Sequence, residues 1–191
     1  MNAAERDPFL NAADDALGPL GFKRPKSKFE WKRKVDEANT YWIHFNFGLG
    51  VINPSCGVWY TDLATLVPKD VGVVCAVSRM LEGISGSSYS SVTAPSLLAN
   101  HVIAFAIPEL EALRDRSAVI RSLESDPATK WPVFDRSSRI RLLPLLLAQA
   151  GRLQEAANYL NEFERVAPDI DQQIPRYAVF AEFFRGTYAA S

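Results

Sequence analysis

Residues 40–48, "TYWIHFNFG", sort their side chains two ways. Tyr41, Ile43, Phe45 and Phe47 take one side, and Trp42, His44 and Asn46 the other. A helix would scatter these rings around its circumference, whereas a strand gathers each set on one face. The stretch before it alternates too, with Phe29, Trp31, Arg33 and Val35 opposed to Lys28, Glu30, Lys32 and Lys34, and residues 36–39 read as a turn. A connection over 48–57 and a third extended run over 58–66 complete an expected antiparallel meander.

Elsewhere the period lengthens to between three and four. Phe9, Leu10, Ala13, Ala16, Leu17 and Leu20 predict an opening helix, stopped by Gly18, Pro19 and Gly21. Residues 70–84 put Val73, Val74, Val77, Met80, Leu81 and Ile84 on one helical face and read as helix, although their β-branched content also permits a fourth strand. Residues 85–96 are rich in Ser and Gly. The next segment, 95–124, reads as helix interrupted or kinked at Pro108. A connector at 126–135 leads to three more helical segments.

The expected class is α+β: a small antiparallel sheet of three to four strands after an N-terminal helix, packed against a helical C-terminal half. The expectation is one domain over 1–191, a sheet-rich part (1–85) and a helical part (93–191) sharing a core; a boundary near 85–94 or 126–135 is the competing division.

Net charge is −1, so no global field draws the chain to nucleic acid or to an anionic membrane. Its distribution is uneven. Residues 22–34 hold seven Lys/Arg and one Glu, a local +6 that leaves −7 for the remainder. Lys23, Arg24, Lys26, Lys28, Lys32 and Lys34 are therefore candidate partner-binding residues for an acidic protein, where such a patch speeds encounter. Interleaved with Phe22, Phe29 and Trp31, the same lysines also fit single-stranded nucleic acid. The plainer reading is an edge strand guarded by lysines.

Trp42, His44, Asn46, Tyr60 and Asp62 form a second candidate set, a polar pocket around His44 for a small ligand or substrate. His101, among Leu97, Leu98 and Phe105, reads as a half-buried helix histidine. Two histidines and two cysteines at distant positions match no metal-ligand spacing, and no metal or cofactor is expected. Cys56 and Cys75 read as buried thiols. No phosphate-binding glycine loop or serine elbow is present, so the balance leans away from an enzyme. The acidic N-terminus lacks an apolar core for export, and no apolar run is long enough to span a bilayer. A cytoplasmic, non-membrane protein of undetermined oligomeric state is the expectation.

Two resemblances add to this. Residues 137–168, through Leu143, Gly151, Ala156 and Pro168, resemble one degenerate tetratricopeptide-type hairpin, departing from it at Pro144 and Phe163. A single repeat cannot bury its own faces, so the hairpin is expected to serve packing, with Tyr177, Phe180, Phe184 and Tyr188 as an aromatic stripe beside it. Residues 5–65, a helix running into "GFKR" and then aromatic strands, resemble bacterial domains of unknown function, some of which accompany toxins as immunity proteins. That resemblance implies a bacterial interaction or immunity-type accessory factor and carries over no catalytic residue.

Overall fold

The computed structural model describes residues 1–26, 28–125, 136–167, 169 and 174–188, with backbone alone at 136–138. The chain is α+β, with a five-stranded antiparallel sheet after an N-terminal helix and helices through the C-terminal half. It falls into two compact units interleaved in sequence: Met1–Trp59 with Ala76–Asp115, and Tyr60–Cys75 with Arg116–Ser191.

The first unit opens with α1 (Ala3–Leu17). A capping box starts it: the Asn2 side chain accepts from the Glu5 N–H, and the Asn2 N–H donates to the Glu5 carboxylate. A 3₁₀ turn over Gly18–Leu20 and a left-handed Gly21 (φ 83°) end it, as the Gly-Pro-Leu-Gly stretch predicts. Then follow β1 (Glu30–Lys34), β2 (Asn39–Phe47), β3 (Val51–Tyr60), β4 (Ala76–Met80) and β5 (Tyr89–Ser90), in the order β1-β2-β3-β4 with β5 paired to β3. Trp31, Tyr41, Ile43 and Phe45 are buried, as the alternation requires. The Phe9 and Phe47 rings, 6.5 Å apart, bring α1 onto that face.

Two expectations about the third strand are corrected. β3 begins at Val51, inside the stretch read as a connection, and stops at Tyr60; Thr61–Leu66 is a short helix, α2. Glycines and Pro54 make 48–57 look like loop, but only Gly48–Gly50 forms the turn, closed by the Gly48 N–H on the Val51 carbonyl. The ambiguity at 70–84 resolves into both alternatives in succession: β4, then α3 (Leu81–Ser85).

The helical stretch after residue 94 runs as α4 (Pro95–His101), a π turn (Val102–Ala106) and α5 (Ile107–Arg114). Pro108 has no N–H for the carbonyl four residues back, and the wider π turn just before it absorbs the mismatch. The break comes instead at Asp115, whose extended backbone separates α5 from α6 (Arg116–Ser125).

In the second unit, α7 (Arg136–Gln149) and α8 (Leu153–Val166) form the expected hairpin about a left-handed Gly151 (φ 76°). Ala156, fully buried, allows close approach, and Leu142, Leu143, Leu145, Leu146 and Leu147 are buried along α7. The last helix, α9 (Tyr177–Tyr188), carries the aromatic stripe, with ring centroids 5.0–6.2 Å apart from Tyr177 to Tyr188. Pro168 and the connector at 126–135 lie outside the described residues.

Candidate interaction face

Strand register decides where the candidate residues point. β1 pairs with β2 so that Glu30 faces His44, Lys32 faces Trp42 and Lys34 faces Thr40. With a period of two, Lys32, Lys34, Trp42 and His44 therefore share one face, opposite to the buried Trp31, Tyr41, Ile43 and Phe45. Two surfaces that the sequence presents separately, the basic strand and the His44 strand, are one continuous surface. Trp42 lies across Gly57 of β3, where a Cβ would come within 2.6 Å of the indole. Trp59, two residues further along β3, is 41% exposed. Asn46 is exposed at the far end of β2.

β1 is an edge strand, as the plainer reading of the basic segment holds. Its outer rim is closed at the centre by the chain itself: Lys23 and Lys32 exchange both backbone hydrogen bonds, each 2.9 Å. That rung is taken, which blocks strand addition by another chain there. The side chains differ in how far their charge is already compensated. Arg24 holds Asp14 through Nε and Nη2 (3.0 and 2.5 Å), and Asp14 also accepts from the Trp31 indole at 2.7 Å. The hydrogen bond from Arg24, aided by that from Trp31 and outweighing burial, holds the Asp14 carboxyl below its usual range. Trp31 thus ties β1 to α1, and Arg24 ties the segment before β1 to the same carboxylate. Lys32 meets Glu30 at 3.1 Å in a partly exposed pair and Lys34 meets Glu37 at 2.9 Å in an exposed one, both of small energetic weight. Lys23, Lys26 and Lys28 are exposed and make no ion pair among the described residues.

His44 is half-buried. Burial pushes its imidazole below the ordinary range, against the opposing pull of Glu30. The other two residues of that candidate set, Tyr60 and Asp62, lie in the second unit and gather around Arg116, a residue that no sequence pattern singles out. Arg116 reaches the Asp62 carboxylate through both terminal nitrogens (2.8 and 2.5 Å) and stacks 4.6 Å from the Tyr60 ring centre. Gln149 completes the group, accepting from Arg116 and donating to Asp62 at 3.4 Å. Burial works to raise the Asp62 carboxyl, but hydrogen bonds from Arg116 and the Leu63 N–H, with the Arg116 charge, hold it below its usual range.

The arrangement is an ion-pair clamp between α2 and α6. Asp62→Asn is expected to cost about 1 kcal/mol, because the pair is partly exposed. Since the folded carboxyl sits below the unfolded value near ~3.9, the contribution is present above about pH 4 and fades as pH falls through the folded value. Chemical denaturation at neutral and acid pH reads this directly; an unchanged midpoint difference between wild type and D62N across that range would contradict it.

Described residues of the second unit line hollows of two kinds. One, of about 400 Å³, sits over the Asp62–Arg116 clamp; the other, of about 570 Å³, is floored by Leu123, Ile140, Leu143, Leu147 and Phe163. His44 lines neither. His101 is held by Tyr89, whose hydroxyl lies 3.0 Å from Nδ1 and 2.8 Å from the Ser85 hydroxyl. The Cys56 and Cys75 thiols are free and buried, pushed up by burial to about 12 and about 11. No group of three metal-ligating side chains occurs among the described residues.

Fold and face together define an α+β protein with a basic, aromatic sheet surface ending in an edge strand whose central rung the chain itself closes. Compared with known proteins, the chain matches no family model, no curated protein and no solved structure.

Proposed function

We propose that this chain is a non-catalytic bacterial interaction factor, of immunity or accessory type, that acts in the cytoplasm by binding an acidic protein. The observation that carries the reading is the trio Lys23, Lys26 and Lys28, exposed and uncompensated beside an edge strand whose central rung is already closed. With strand addition blocked at that rung, the surface offers side-chain charge, which steers association and favours complementary carboxylates. Arg24, anchored to Asp14, contributes structure to the surface rather than free charge.

A second reading has its own observation. Lys32, Lys34, Trp42 and Trp59 on one sheet face are the combination of phosphate contacts and stacking planes that holds a single nucleic-acid strand. One experiment separates the two. The full chain and its Lys23/Lys26/Lys28→Glu variant are crosslinked in cells and recovered with and without nuclease. Loss of an acidic protein from the variant, insensitive to nuclease, is the expected result. Recovery abolished by nuclease transfers the assignment to the second reading, and an identical partner set for both chains overturns the first.

A further inference from the structure

The end of the sheet beside the free lysines carries two side chains that ordinary packing does not explain. Leu49, at the tip of the β2–β3 hairpin, is 99% exposed, and Val92 is 91% exposed. They stand on neighbouring turns. Val51 pairs with Ser90, and the Ser91 N–H donates to the Gly50 carbonyl at 3.1 Å. Each turn is also closed on itself: Gly48 N–H on the Val51 carbonyl at 2.9 Å, Thr93 N–H on the Ser90 carbonyl at 3.0 Å, and Ser90 N–H on the Thr93 hydroxyl at 2.9 Å. Two aliphatic side chains are thus presented on a backbone that is already ordered, so little ordering entropy remains to be lost on contact. Val51, where the hairpin turn meets β3, is itself 44% exposed.

The charges around this tip have one predominant sign. Residues 46–52 and 85–96 contain none at all. The Phe45 N–H bonds the Phe29 carbonyl, and the Phe29 and Phe47 rings meet at 5.3 Å, which places Lys28 at the same end of the sheet. The Arg6 guanidinium lies 4.9 Å from the Phe29 ring centre, and the Met1 ammonium lies 3.3 Å from the Gly48 carbonyl. Of the nearby acids, Glu5 is engaged in capping α1, and Glu82 accepts from the Ser88 hydroxyl. The result is an apolar centre bordered by cations, the layout of an interface with a dry core and a charged rim.

We infer that the acidic partner of the basic edge also receives this tip: it carries an apolar socket for Leu49 and Val92, bordered by Asp and Glu side chains that meet Lys26 and Lys28. The inference rests on the acidic-partner reading above and names the shape and chemistry of that partner. Charge complementarity selects the occupant, since a second copy of this chain would bring the same cations to the same rim.

The test uses the full chain with a benzophenone amino acid at position 49 or 92, and at Gln154 of α8 as control, illuminated in cells, with crosslinked peptides sequenced by mass spectrometry. Positions 49 and 92 are expected to capture the protein that Lys23/Lys26/Lys28→Glu loses, at an apolar segment flanked by Asp or Glu, and position 154 is not. With that protein purified, Leu49→Ser is expected to weaken binding about ten-fold with the lysines intact. Leu49 touches so little of the fold that its circular dichroism should be unchanged.

If the lysine variant loses a partner that Leu49→Ser retains and position 49 never captures, the tip inference falls and the basic-edge reading stands. If neither change loses a partner, both fall. Cosedimentation with phosphatidylserine–phosphatidylcholine vesicles that Leu49→Ser abolishes would overturn the inference in favour of a lipid surface.

Discussion

Gly57→Ala should unfold this protein at a markedly lower urea concentration than wild type, with a loss of about 3 kcal/mol or more. Gly57 sits in β3 opposite Ser78 of β4, with the Trp42 ring laid across it. A Cβ there would lie 2.3 Å from the Val77 carbonyl oxygen and 2.6 Å from the indole. Neither neighbour is the free end of a flexible chain: one is backbone, the other a rigid ring. Relief must come from displacing Trp42 or parting β3 from β4, and either disturbs the candidate face. The same variant should therefore alter tryptophan emission in the native state. A loss below about 1 kcal/mol would mean that the strands part easily and that the ring-on-glycine contact does not set the spacing of the face.

Phe180→Ala is the counterpart in the second unit, with an expected loss of about 3–5 kcal/mol. Phe180 is fully buried in α9 and touches Tyr177 and Phe184 at ring-centroid separations of 6.2 and 6.1 Å. Removing it deletes the ring between Tyr177 and Phe184 and leaves a void there. Phe180→Leu, which refills most of that volume, should cost about 1.5 kcal/mol or less. Denaturant midpoints of the two variants test the pair of values; equal losses would show that ring contact, rather than volume, governs the site.

Much of the local structure was legible because side-chain period is a backbone property. The alternation at 40–47 placed Tyr41, Ile43 and Phe45 in the core, and the spacing of Tyr177, Phe180 and Phe184 placed them on a single buried face. Gly151 marked its turn for the same kind of reason, since the left-handed conformation there suits a residue without Cβ. The beginning of β3 was not legible. Gly48, Gly50, Pro54 and Gly57 look like loop residues, and only the neighbouring strands reveal that Gly57 is required by the ring above it.

The candidate site divides in the same way. The basic run and the strand bearing Trp42 and His44 can be seen in the sequence, but their union on one face depends on the pairing of residue 32 with residue 42. Residue type and position in the sequence suggest a grouping of Tyr60 and Asp62 with His44; the structure gives them to Arg116, 54 residues beyond Asp62. Which lysines remain available was likewise invisible, because Asp14, Glu30 and Glu37 reach Arg24, Lys32 and Lys34 only once α1 and the strands are in place.

By itself, then, the order of residues determined which segments become strand or helix over much of the chain, and which side of each is apolar, since these follow from repeats of two and 3.6 along a single stretch. Tertiary structure alone decided strand register, the partners of Asp62 and Asp14, and the exposure of Leu49 and Val92. Those depend on groups brought together from separate elements, 10 residues apart for Asp14 and Arg24 and 54 for Asp62 and Arg116, and no local period encodes a distance between them.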